Sequence, residues 1–278
     1  MDQLQPEDRP RTSGETARLG AEDLGPLNER LEGLPPQELI RWAHRRFGKR
    51  LGLLSAMQAA GCALCHMVAE LGLQADIDVL FVDTGVNFQE TLDTVERVRR
   101  EYGLNVISLH PELTMAEQTA KMGVLYLDPA GQKLCCHLRK KVPLQQIRGR
   151  YDALLSSLRR GSGGKRADVP VLAPDAELNL LRIHPMVNMS AEDLDAYVTK
   201  HNVIVNPLHA QGYPTVGCNR CTTPVLPGEP ERAGRWRHLE NAAVYCNINP
   251  TDRARSGDNS EFVELGVEVV GRMLDFSI

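Results

Sequence analysis

The chain has 278 residues, with 32 basic and 36 acidic side chains and a formal net charge of −4. That length suits one large α/β domain, or one domain with a small appendage. The charge balance excludes a global field for nucleic acid or an anionic membrane, so any anion site must be a local cluster of cations. Apolar residues make up 42% and aromatics only 5%, which leaves the core to aliphatic packing.

The polar stretch Met1–Gly20 has no apolar core and no cleavage signature, so a secretory signal is not expected. No apolar run nears the roughly 18–20 residues that cross a bilayer. The expected compartment is the cytoplasm, where structural disulfides are rare. Residues 1–25 read as a flexible arm, residues 26–250 as the main domain and residues 251–278 as an extension.

From Leu27 the pattern turns helical, with two short helices broken at Pro35-Pro36. Strand and helix patterns then alternate. Strands are expected at 51–55, 78–82 and 105–109, with helices at 62–71 and 88–102 between them. That order predicts a parallel sheet with right-handed crossovers, helices on both faces and ligands beyond the carboxyl ends of the strands. The loops at 55–61 and 83–87 therefore face the expected site. Further strands are expected at 153–158 and 178–183. Gly161–Lys165 between them reads as a mobile candidate lid. Ser190 with Asp193 reads as a capping box opening a helix to His201. A stretch rich in Gly, Pro and Arg follows from Asn206 to Trp236, and long loops often carry function.

Seven cysteines fall into groups: Cys62/Cys65, Cys135/Cys136, Cys218/Cys221 and a single Cys246. The adjacent pair and the Cys218-x-x-Cys221 pair together suit four-thiolate coordination, either zinc or an iron–sulfur cluster. Two unrelated pairs of buried thiols remain an alternative. Cys62 and Cys65 lie in an apolar helical pattern and read as small core hydrophobes. His66 beside them reads as a satisfied core or surface histidine.

Several motifs stand in a telling order: Leu80-Phe-Val-Asp-Thr-Gly85, Cys135-Cys-His-Leu-Arg-Lys140, Ser157-Leu-Arg-Arg160, Asn206-Pro-Leu208, Gln211 to Thr222 and Glu231-Arg-Ala-Gly-Arg-Trp236. In that order the chain resembles the assimilatory adenylyl-sulfate reductases, relatives of the phosphoadenylyl-sulfate reductases, from about Leu27 to Asn247. The resemblance implies a Rossmann-like adenine-nucleotide fold. It implies that Cys135, Cys136, Cys218 and Cys221 hold a [4Fe–4S] cluster, with Lys140 between cluster and substrate. It also implies adenylyl sulfate as substrate, because members with both cysteine pairs generally prefer it to the 3′-phosphorylated form. A nucleophilic cysteine is implied in a Glu-Cys-Gly-Leu-His motif. The matching residues here are Tyr245-Cys-Asn-Ile-Asn249, which keep only Cys246.

Expected substrate contacts are Met57, Gln58, Asp83, Thr84, Gly85, Lys140, Arg159, Arg160, Arg232 and Arg235. Arginine suits bidentate donation to phosphate and sulfate oxygens, and Arg232-x-x-Arg235 could share one side of a helical turn. Asp83 has a plainer reading as a local turn former. A Cys246 thiolate attacking sulfur would leave an S-sulfocysteine, and a second thiol must then release sulfite. Thioredoxin or glutaredoxin is the implied partner. A homo-oligomer stays open. Two other readings remain: a non-reducing, cluster-bearing nucleotide-binding or sulfur-delivery relative, and an enzyme that adenylates its substrate and releases pyrophosphate. The second is disfavoured by the 55–61 loop, which lacks a Ser-Gly-Gly pattern.

Overall fold

The computed structural model describes residues 21–240 and 248–250. Six strands build one sheet: β1 (Leu51–Leu54), β2 (Asp78–Val82), β3 (Val106–Leu109), β4 (Ala153–Ser156), β5 (Leu172–Asp175) and β6 (Leu180–Ile183). Their spatial order is β3-β2-β1-β4-β6-β5. The chain runs outward from β1 to β3, then returns to the other side of β1. That reversal is a switch point, where open sheets of this type leave a crevice for ligands.

Four of the strand pairings are parallel, and β5–β6 is antiparallel. The all-parallel expectation is corrected at this edge. Residues 176–179 join β5 to β6, with Asn179 at φ 54°, too short a link for a parallel crossover. β5 carries Pro174, which an edge strand tolerates because it has a free side. Asp175 and Arg182 form a fully buried ion pair across this hairpin at 2.9 Å.

The strands alternate between two cores. Leu53, Val79, Phe81, Val106 and Leu155 face one. Leu80, Leu109, Leu154 and Leu180 face the other. The first is covered by helices α1 (Ala21–Leu31), α2 (Pro36–Phe47), α3 (Ala59–Glu70), α4 (Gln89–Tyr102) and α8 (Ala191–Lys200). Helix α7 (Val142–Gln145) and Tyr151 cover part of the second. Gly52 must lack a side chain there: a Cβ would meet Leu154 at 2.8 Å and the Tyr151 ring at 3.2 Å.

Local signals account for the helix ends. Pro35 precedes α2 and Pro36 occupies its first turn, where a missing N–H costs nothing. Helix α4 stops at Gly103, φ 66°. Ser190 and Asp193 make the expected reciprocal capping box of α8. Helix α1 opens at Ala21, inside the stretch read as a flexible arm. Gly161–Lys165, read as a lid, lies within two 3-10 turns, Arg160–Ser162 and Gly164–Arg166. Residues 110–150, for which no element was expected, hold α5 (Met115–Met122), α6 (Pro129–Cys136), a π-turn over His137–Lys141 and α7. The two eight-residue helices are too short for an 11–18-residue periodicity window.

Candidate active site

Helix α6 begins at Asp128, whose carboxylate accepts from Gly131 N–H, with Pro129 in the first turn. It delivers Cys135 and Cys136 at its end and then widens into the π-turn. Such single widened turns often mark functional positions. Here the π-turn buries Arg139 and Lys140 beside the two thiols.

Cys218 and Cys221 arrive from the other direction, on a tight turn in which Cys221 N–H donates to Cys218 O at 3.0 Å. Asn219 N–H bonds Val86 O at 2.9 Å, and Trp236 N–H bonds Cys221 O at 2.9 Å. The Cys218 thiol lies 3.4 Å from Thr84 Oγ1. All four thiols line one pocket, together with Arg139, Lys140, Arg220 and Trp236.

Burial pushes the Cys135 thiol up, against a hydrogen bond from Gln118 that favours its ionised form. Burial, and then the neighbouring Cys218 charge, pushes Cys221 up to about 11, while Lys140 acts in the opposite direction. Without a metal these two thiols therefore hold their protons at neutral pH. A metal must displace those protons on binding.

Arg139 was missed by sequence reasoning. Its Nε donates to Thr84 O at 2.6 Å, and its Nη1 donates to Leu113 O at 3.2 Å and Gln118 Oε1 at 3.1 Å. Gln118 in turn donates to Cys135 Sγ at 3.6 Å. A chain of contacts thus runs from the β2 loop through a buried guanidinium to a thiol. The sequence holds no spacing rule that pairs Arg139 with Gln118.

Most of the expected contact residues gather at this end of the sheet. Asp83 Oδ1 accepts from Gly85 N–H at 2.8 Å and from Asn87 Nδ2 at 3.0 Å, so it shapes the turn after β2. Gly85 has φ 69°, and a Cβ there would lie 2.9 Å from Arg139 Nη2. Gln58 Oε1 accepts from Val216 N–H at 3.0 Å, tying the loop after β1 to the turn that carries Cys218. Met57, an expected substrate contact, is instead fully buried in the core, with φ 53°.

The arginines separate into two groups. Arg235 lies over the Trp236 ring at 4.4 Å and crosses Gly217. Its Nε and Nη2 are buried without hydrogen-bond partners. Its N–H bonds Arg232 O at 2.9 Å, so the two arginines close a turn and not a helix. Arg160 is committed elsewhere. It pairs with the Glu32 carboxylate, donates to Val169 O at 2.8 Å and to Asn188 Oδ1 at 2.6 Å, and thereby ties the α1–α2 connection to the loops that follow β4 and β6. Arg159 makes one weaker bond, to Met189 O at 3.3 Å. Cys246, the expected nucleophile, lies outside the described residues.

A mostly parallel sheet with a switch-point crevice, flanked by four convergent thiols and buried cations, defines an α/β nucleotide-binding protein with a thiol centre. The chain belongs to the phosphoadenosine phosphosulfate reductase family, whose domain model matches residues 51–224. It is 41% identical over 221 residues to an adenosine 5′-phosphosulfate reductase of Streptomyces coelicolor, covering 77% of this chain and 91% of that one. It is 35% identical over 212 residues to adenosine 5′-phosphosulfate reductase 1 of Bacillus subtilis, covering 76% and 89%. Among solved structures, the phosphoadenylyl-sulfate reductase of Candida auris, a phosphate complex, superposes with a TM-score of 0.64 at 26% identity, covering 74% of this chain and 98% of that one. Among the described residues no helix is long and apolar enough to cross a membrane.

Proposed function

We propose that this protein reduces adenylyl sulfate to sulfite and AMP in sulfate assimilation, in the cytoplasm. The observation that carries the reading is the meeting of four cysteines and two buried cations beside the crevice of the sheet. The relatives named adenosine 5′-phosphosulfate reductase support the substrate.

The donor set fits an iron–sulfur cluster. Four cysteine thiols lining one pocket beside the buried Arg139 and Lys140 suit a [4Fe–4S] group on Cys135, Cys136, Cys218 and Cys221. When bound, the cluster ties α6 to the 216–221 turn and sets the local field around Lys140. The remaining chemistry belongs to side chains of the chain. Lys140, Arg235, Arg232 and Arg159 stabilise the phosphate–sulfate anhydride and the charge that grows on its bridging oxygen. Donors of the 83–87 loop orient the nucleotide, and Arg160 acts through Glu32 as a support.

The Cys246 thiolate attacks the sulfate sulfur. A new S–S bond forms, the bond from sulfur to the bridging oxygen breaks, and AMP leaves with both electrons of that bond. A dithiol such as thioredoxin or glutaredoxin then attacks Cys246 Sγ, releases sulfite and ends as a disulfide. The two electrons of the reduction come from that dithiol.

The test mixes cluster-loaded protein with adenylyl sulfate and thioredoxin, and measures sulfite and AMP. The expected result is stoichiometric release of both, abolished by Cys246→Ser with the cluster retained. Turnover only with the 3′-phosphorylated nucleotide would replace the substrate. No sulfite from either nucleotide would sink the reading.

A further inference from the structure

A second group of ligand-type side chains lies at the far end of α3, away from the thiol centre. Helix α3 starts at the carboxyl edge of the sheet and runs about 17 Å to Glu70. His66 and Glu70 are four residues apart and therefore leave the same face. His201, at the C-terminal cap of α8, meets them.

The three residues each offer one ligand atom, and these atoms all lie within 4.8 Å of one another. His201 Nδ1 is 3.1 Å from Glu70 Oε1, and His66 Nδ1 is 3.7 Å from Glu70 Oε2. Donors at 2.0–2.2 Å from a tetrahedral ion stand about 3.4 Å apart, between those two values. The two imidazole rings approach at 5.4 Å between centroids. Both helices are anchored, α3 through Leu64, Met67 and Val68 and α8 through Leu194, so the donors sit on fixed backbone. Side-chain exposures of 13%, 25% and 41% for His66, His201 and Glu70 leave a path for an ion and water.

We propose that His66, Glu70 and His201 form a binding site for a borderline divalent transition metal, with zinc as the leading candidate and water completing the shell. Two imidazoles and one carboxylate suit zinc, nickel or copper and do not suit magnesium or calcium. Tyr197 Oη, 2.9 Å from His66 Nδ1 and 3.1 Å from Glu70 Oε2, is the group the ion displaces. Binding pins the end of α3 to the end of α8, so it stabilises the fold. It lies away from the thiol centre and leaves turnover unchanged.

A plain hydrogen-bond network is the competing account, and Tyr197 separates the two. Cluster-loaded protein is titrated with Zn²⁺ against a chromophoric chelator, and its thermal midpoint is followed in parallel. The expected result is one Zn²⁺ per chain and a raised midpoint. His66→Gln and His201→Gln each weaken binding at least about tenfold, the smallest loss typical even of a residue that only supports a ligand. Tyr197→Phe retains it. Co²⁺ should give ligand-field bands without a thiolate charge-transfer band, which separates this site from every cysteine. No binding, binding indifferent to both histidine variants, loss of binding in Tyr197→Phe, or a thiolate band on the bound Co²⁺ would each overturn the proposal.

Discussion

Two Cys-x-x-Cys pairs in this chain share a spelling and little else. Cys62 and Cys65 lie on α3, fully buried among Leu64, Met67 and Val68. Burial drives both thiols upward, Cys65 to about 12. Such thiols hold their protons and behave as small hydrophobes. Cys218 and Cys221 sit on a turn, partly exposed, facing a second pair and the buried Lys140. Their surroundings bring four cysteine thiols to the lining of one pocket. Identical spacing therefore carries no chemistry by itself. What separates the pairs is whether other ligands and cations converge on them.

Substitutions test that contrast most sharply at the thiol centre. Cys218→Ser removes one of four ligands, and the expected outcome is loss of visible cluster absorbance with sulfite formation down by at least about a hundredfold. Full turnover in that variant would make the two pairs equivalent and break the comparison. The next largest effect is expected at Arg139, which is buried and bonded to three carbonyl-type acceptors. Arg139→Leu leaves those acceptors unpaired and should cost about 3 kcal/mol in chemical denaturation. A loss under about 1 kcal/mol would mean that water replaces the guanidinium and that the β2 loop does not depend on it.

Gly85→Ala should cost about 1–3 kcal/mol, since it forces a side chain into a positive-φ conformation against that same guanidinium. Equal stability of variant and parent would show that the loop relaxes freely. At the other pair, Cys65→Ala should cost only about 1 kcal/mol, the range for deleting a small buried group. Turnover and cluster absorbance should be untouched. A reactive or essential Cys65 would contradict its placement.

The sheet was largely legible because its strands obey a local rule. Runs such as Asp78–Val82 are short, apolar and bounded by polar turns, and helices α3 and α4 follow their strands at regular intervals. The grouping of the four cysteines was legible for a similar reason, since thiols are rare and their clustering stands out. The partners of those residues were not. Arg139 and Gln118 lie far apart along the chain, and only the packing of α5 against the β2 loop and the π-turn brings them together. Arg160 shows the opposite limit. Beside Arg159 in a motif it looked like an anion contact, yet Glu32 on the distant α1–α2 connection claims it. A charge visible in sequence says nothing about which opposite charge the fold delivers to it.

The smallest effect tests how firmly the thiol turn is held from outside. Arg237 binds Glu229 with two contacts, at 2.6 and 2.8 Å, and also donates to Thr223 Oγ1 and Pro224 O. These bonds brace the segment just after Cys221. The Arg237 guanidinium, followed by the Leu226 N–H, lowers the Glu229 carboxyl to about 2. A carboxyl lowered in the folded state stabilises the fold above its ordinary titration near 4.5, and that contribution is lost as pH falls toward about 2. The pair lies at the surface, with Arg237 exposed and Glu229 partly so, and solvent screening keeps the effect small. The thermal midpoint of Glu229→Gln should therefore trail the parent slightly at neutral pH, and the gap should close as pH falls through that window. Added salt should narrow it as well. A gap that persisted undiminished to about pH 2 would show that Glu229 acts by its size or its backbone turn, and that charge does not brace the cysteine turn.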